Sequence, residues 1–266
     1  MHCFADDTQL YLSFKSDDKS GLDEAISAMN RCISDLRNWM IRDRLMINDD
    51  KTELILIGTR QQLGKINDVC NISVGDYDIY PSSCVRNLGA WFDNMLSMST
   101  HVTKIYKAAF YHLHNIRRIK KYLSRDSLLT LIQAFITSRL DYCNGPLYGL
   151  PNSQIVKFQR VQNAAARLVL SRSKYSHISP ALYQLHWLTV QHRVHFKILI
   201  LTFKAIHGLA PKYIREPINI KPRSIHNLRS NQSLWLDPPK GIMLVKLGDR
   251  SFSAAAPYLW NTECAG

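Results

Sequence analysis

The chain of 266 residues is ordinarily globular in composition, with 46% hydrophobic and 21% charged residues and a formal net charge of +13. Six scattered cysteines with no Cys-x-x-Cys, no visible signal peptide and no apolar run of membrane-spanning length argue against a disulfide scaffold, a secreted protein and a membrane span. They suggest reduced thiols in an intracellular protein, nuclear or cytoplasmic. The charge is divided along the chain: residues 1–100 hold 10 Lys/Arg against 15 Asp/Glu (net −5), residues 101–266 hold 24 against 6 (net +18), and no acid lies between Asp141 and Glu216. This fits a metal-type site followed by a polyanion-binding surface, and equally a soluble basic helical region.

In chain order, residues 3–14 read as a hairpin of alternating polar and apolar residues with Asp6 and Asp7 at its turn. Two acceptor-only carboxylates side by side suit a hard cation such as Mg²⁺, but Asp-Asp also recurs at 17–18 and 49–50, where a surface turn explains it. A capping box at Ser20–Asp23 then opens a helix. Its apolar residues Leu22, Ile26, Met29, Ile33, Leu36 and Met40 fall three and four apart, with Cys32 and Trp39 widening the buried stripe. Residues 45–58 read as a polar turn followed by a strand closed by Gly58, with Lys51 at its entry, and 61–68 as a polar loop. Residues 70–74 and 77–80 form a hairpin around Gly75-Asp76, and 85–93 one further strand in which Gly89 allows close backbone approach. The sum is an α+β layer with a helix on one face.

From residue 99 the pattern is helix after helix. Residues 101–122 carry a helical apolar stripe ending in Arg117, Arg118, Lys120 and Lys121, cations that also complement the helix dipole. Ser124 caps the next helix, which runs to about residue 140 and is broken by Cys143-Asn144-Gly145-Pro146. A helix over about 152–170 buries Ile155, Phe158, Val161, Ala165, Leu168 and Val169. At 100° per residue it places Lys157, Arg160 and Arg167 on another face, as phosphate contacts or as a solvated surface. Short and long helices follow over 179–186 and 189–207, the latter apolar nearly all round from 196 to 203. His192 and His195 share a face, but no cysteine or carboxylate adjoins them in sequence to complete a zinc shell. From 216 onward the composition is that of an extended tail, with Phe252, Tyr258, Leu259 and Trp260 as a docking anchor.

Phe4-Ala5-Asp6-Asp7, the turn Asn48-Asp49-Asp50-Lys51-Thr52-Glu53 and Asn87-Leu88-Gly89, in this order and spacing, resemble the later palm motifs of reverse transcriptases from LINE-type (non-LTR, jockey-like) retrotransposons. Gly248-Asp249-Arg250-Ser251-Phe252, Pro257 and Leu259-Trp260-Asn261 look like the tail of such elements. The resemblance implies a partial palm over 1–95, an all-α thumb-like and post-thumb region over 96–215 and a C-terminal tail over 216–266. It implies that Asp6 and Asp7 are metal-binding and catalytic, that Lys51 approaches the nucleotide phosphates and that Leu88-Gly89 is the primer-grip turn. Mg²⁺, dNTP, an RNA template and a DNA primer come with it, and no membrane. In that family a third aspartate on an earlier palm strand completes the metal site. No segment here replaces it, so the chain reads as the C-terminal half of an RNA-directed DNA polymerase, inactive alone. The alternative is a non-catalytic basic module that binds nucleic acid through Arg117, Arg118, Lys120, Lys121, Lys157, Arg160 and Arg167.

Overall fold

Short antiparallel ladders around one long helix make up the first hundred residues, and helices make up most of the remainder. The computed structural model describes residues 2–4, 7–15, 19–66, 70–221, 234–239 and 248–264. It divides the chain into two units, Met1–Thr100 and His101–Gly266.

In the first unit β1 (His2–Phe4) pairs with β2 (Asp7–Gln9), Phe4 opposite Asp7. Helix α1 (Lys19–Arg42) begins ahead of the expected cap, so Ser20 lies in its first turn, donating to Glu24 at 3.1 Å. The stripe from Leu22 to Met40 faces inward, with Ile33 at its centre. Cys32 and Trp39 do not join it: they fall one position beyond the stripe, and Trp39 is 52% exposed. Ile33 packs with Ile72 and Val74, and Leu10, Met29, Ile47, Leu54 and Ile79 close around them. Burial of each such side chain contributes roughly 1.5–3 kcal/mol.

The expected polar turn is a 3-10 turn, Asp49–Lys51, and the expected strand before Gly58 is extended chain that touches Pro81 in a single parallel bridge at Leu54. The expected loop over 61–68 contains α2 (Arg60–Leu63), held by a capping box in which Thr59 and Gln62 exchange hydrogen bonds. The hairpin β3 (Ile72–Val74) and β4 (Tyr77–Ile79) stands where it is expected. Gly75, at φ +64°, sits against Arg37, and any Cβ there would collide with the guanidinium that pairs with Asp49 at 3.1 Å. The expected single strand over 85–93 is a hairpin instead, β5 (Cys84–Asn87) and β6 (Ala90–Asp93). Leu88 and Gly89 form its tip at φ +44° and +85°, the two left-handed residues of a tight hairpin turn. Among the described residues the ladders remain separate two-stranded pairs and do not join into one sheet.

Helix α3 (Ser99–Ile119) leads into the helical unit and ends in a 3-10 turn, Lys120–Tyr122. Ser124 caps α4 (Arg125–Ile132), accepting from the Ser127 amide at 3.1 Å, and the helix continues through a π turn, Gln133–Thr137, into α5 (Ser138–Asp141). Helix α6 (Asn152–Val169) buries Phe158, Val161, Ala165, Leu168 and Val169 as its spacing predicts. Helix α7 (Ser179–Gln184) packs Ala181 and Leu182 against Ala166, and α8 (Val190–Ile206) buries Val194, Ile198 and Thr202. Helix α8 is not central on every side, since Phe196 is 55% exposed and Phe203 48%. After α9 (Lys212–Arg215) comes a short ladder, β7 (Asn219–Ile220) with β8 (Leu236–Asp237). The last element is a helix, α10 (Phe252–Glu263), where an extended tail is expected.

Of the expected anchor residues, Leu259 is buried and Trp260 Nε1 donates to the Leu234 carbonyl at 2.8 Å, whereas Tyr258 is exposed. Asn261 bonds both the amide and the carbonyl of Leu236, and Glu263 meets His195 Nδ1 at 3.0 Å. No helix among the described residues is long and apolar enough to cross a membrane.

Candidate nucleic-acid interface

The C-terminal ends of α3 and α6 converge on a cleft of about 800 Å³ in the helical unit. Their apolar stripes face the core, which leaves the polar positions of both last turns facing outward into one concavity. Phe110 and Arg117 come from α3, Lys120 from the 3-10 turn, and Arg160, Asn163 and Arg167 from α6; Ser171, Arg172 and Lys174 follow α6. Lys120 Nζ donates to Ser171 Oγ at 2.8 Å and ties the two ends together.

Electrostatics decide what this cleft accepts. Six cations line it and no acid does. Two helix C-termini offset only roughly half a charge each, so most of the positive charge is left for a ligand. Arg167 is fixed by a bond from Nη2 to the Ser176 carbonyl at 3.2 Å, while its Nε is buried without a hydrogen-bond partner among the described residues. Arg172 Nη2 donates to Gln184 Oε1 at 3.0 Å. A guanidinium held by a carbonyl on one side is oriented before any oxyanion arrives. Helix α6 is itself pinned from behind: Gln162 Nε2 reaches the Leu188 carbonyl at 2.7 Å, and Gln159 Oε1 accepts the Val190 amide at 3.0 Å.

Of the expected nucleic-acid contacts, Arg117, Lys120, Arg160 and Arg167 are gathered here. Arg118, Lys121 and Lys157 do not line the cleft, and Lys121 Nζ lies 4.7 Å over the ring of Tyr122. Phe110, Asn163, Ser171, Arg172 and Lys174 were not singled out from sequence; the acid-free run after Asp141 is the signal that covers the last two.

The expected polymerase residues lie in the first unit. Asp6 falls outside the described residues. Asp7 is exposed on β2, and Lys51 is exposed at the end of its 3-10 turn, next to the paired Asp49. Leu88 and Gly89 form the tip of the β5–β6 hairpin, and Gln9 Nε2 donates to Asn87 Oδ1 at 2.8 Å, which brings β2 beside that tip. Among the described residues no three His, Cys, Asp or Glu side chains gather as a metal site. His192 and His195 have their rings 6.3 Å apart, but His192 pairs with Thr189 and His195 with Glu263.

Comparison of the chain with protein-family models, curated proteins and solved structures finds no match in any of the three.

Proposed function

We propose that this protein binds nucleic acid through the cleft between α3 and α6, and that it descends from the reverse transcriptases of LINE-type retrotransposons. The observation that carries the binding reading is the convergence of six cations on a cleft without an acid. Lys and Arg side chains that neutralise phosphates release condensed counterions, so such binding weakens steeply with salt. The ancestry rests on the spacing of the Phe-Ala-Asp-Asp, Lys51 and Leu88-Gly89 motifs.

The test is fluorescence anisotropy of a labelled oligonucleotide over a salt series. Affinity is expected to fall linearly on logarithmic axes, and Arg160→Ala with Arg167→Ala is expected to lower it about tenfold or more and to flatten the slope. Asp7→Ala should leave binding unchanged. Affinity that ignores salt, or survives loss of both arginines, would sink the reading.

In this reading polymerisation belongs to the ancestry, because no segment of the sequence stands in for the third palm aspartate of that family. Primer extension on an RNA template with dNTPs and Mg²⁺ is expected to yield no product. Product that disappears in Asp7→Ala would restore the enzyme.

A further inference from the structure

The cleft holds one ring as well as cations. Phe110 lies in its wall. Two more aromatic residues stand close in sequence to lining cations and are left in solvent: Tyr122, two residues after Lys120, is 76% exposed, and Tyr175, next to Lys174, is 90% exposed. A volume of about 800 Å³ falls within the range of small-molecule sites, roughly 300–1,000 Å³, large enough for individual nucleotide units. Inside a duplex the base faces stack on one another, so a ring has nothing to cover. A single strand offers every base face, and interleaved cations and rings are what hold it.

We infer that the cleft takes single-stranded nucleic acid, with phosphates on Arg117, Arg160 and Arg167, a base on Phe110, and Tyr122 and Tyr175 stacking on flanking bases. This rests on the nucleic-acid reading above and adds the strand state. Cations serve both strand states, because both carry phosphates; rings serve only the single strand.

The experiment compares a labelled oligothymidylate with a duplex of the same length, using the full 266-residue chain. The single strand is expected to bind at least about tenfold tighter. Tyr175→Ala and Phe110→Leu should each weaken it roughly fivefold or more while leaving duplex binding and the salt slope in place. Leucine keeps apolar volume in the wall, and Tyr175 is too exposed to support the core, so circular dichroism should match the parent for both variants. Equal or tighter duplex binding overturns the inference, as does single-strand binding that ignores both ring substitutions. In either case salt-dependent binding lost in Arg160→Ala would leave the broader nucleic-acid reading standing. If neither oligonucleotide binds, both fall together.

Discussion

The two units bury their apolar residues to very different depths. The helical unit seals Ile132, Ile136, Leu147, Phe158, Val161 and Leu259 almost completely. The first unit closes Val74 and Met98 to that degree, while Met46 is 88% exposed and Phe4, Trp39 and Tyr77 are also left outside. Separate two-stranded ladders explain the difference. A lone hairpin has few cross-strand neighbours on either face and needs a helix or further strands to cover it. Helix α1 covers β3 and β4, whereas helices packed on several sides give the second unit a core. The motif that suggests an ancestry sits on the thin scaffold, and the cations that carry a binding reading sit on the thick one.

Core truncation tests this contrast most directly. Phe158→Ala should cost about 3–5 kcal/mol, because densely packed helices cannot collapse into the cavity. Ile33→Ala should cost about 2 kcal/mol, at the low end for such a change, because its partly buried neighbours can close in. Equal losses by urea unfolding would break the comparison. A smaller effect belongs to the β5–β6 tip. Gly89→Ala should cost about 1–2 kcal/mol because alanine is strained at φ +85°, and Leu88→Asn should regain a few tenths of a kcal/mol at φ +44°.

Acid acts on the helical unit with both signs. Burial holds His101 below the ordinary histidine value near 6.5; burial, then the Arg139 charge, do the same for His112. The unfolded chain therefore takes up protons that the fold refuses. Stability from these groups is present above pH about 6.5 and is lost as pH falls below it. Asp141 runs the other way. Burial pushes its carboxyl up more than Arg193 and Lys197 pull it down, so its contribution is full below the ordinary carboxylate range and fades as pH rises through its elevated value. The melting temperature of the helical unit should fall between pH 7 and pH about 5.5, and His101→Gln with His112→Gln should flatten that slope. An unchanged slope would count against buried neutral imidazoles.

Helical periodicity was the most legible signal in the sequence. The stripes of α1, α3 and α6 follow from apolar residues three and four apart, and Gly75 marks the turn of its hairpin. What stayed hidden depends on contacts. Thr59-x-x-Gln62 is a capping box, but its helix is a single turn within polar chain. The hairpin after Cys84 was masked because Leu88, a residue that disfavours positive φ, occupies half of the turn. Pro257 and the polar stretch before it disguised α10, which is held by Asn261 and Trp260 against a strand more than twenty residues earlier. The cleft was half visible: its cations were, but the meeting of Lys120 with Ser171 exists only in the folded chain.

The π turn at Gln133–Thr137 has a consequence for insertions and deletions. Leu128, Ile132, Ile136 and Leu140 are all buried at a strict four-residue interval. In an α-helix four residues overshoot a full turn by about 40°, so three intervals would drift about 120° around the axis. The underwound turn absorbs much of that drift and keeps the row aimed inward. It therefore acts as a vernier between helix pitch and residue count. Losing one residue inside it would restore regular α-helical hydrogen bonding and leave Leu140 eleven residues after Leu128, about 20° from it around the axis and still aimed at the core, whereas gaining one would turn Leu140 away.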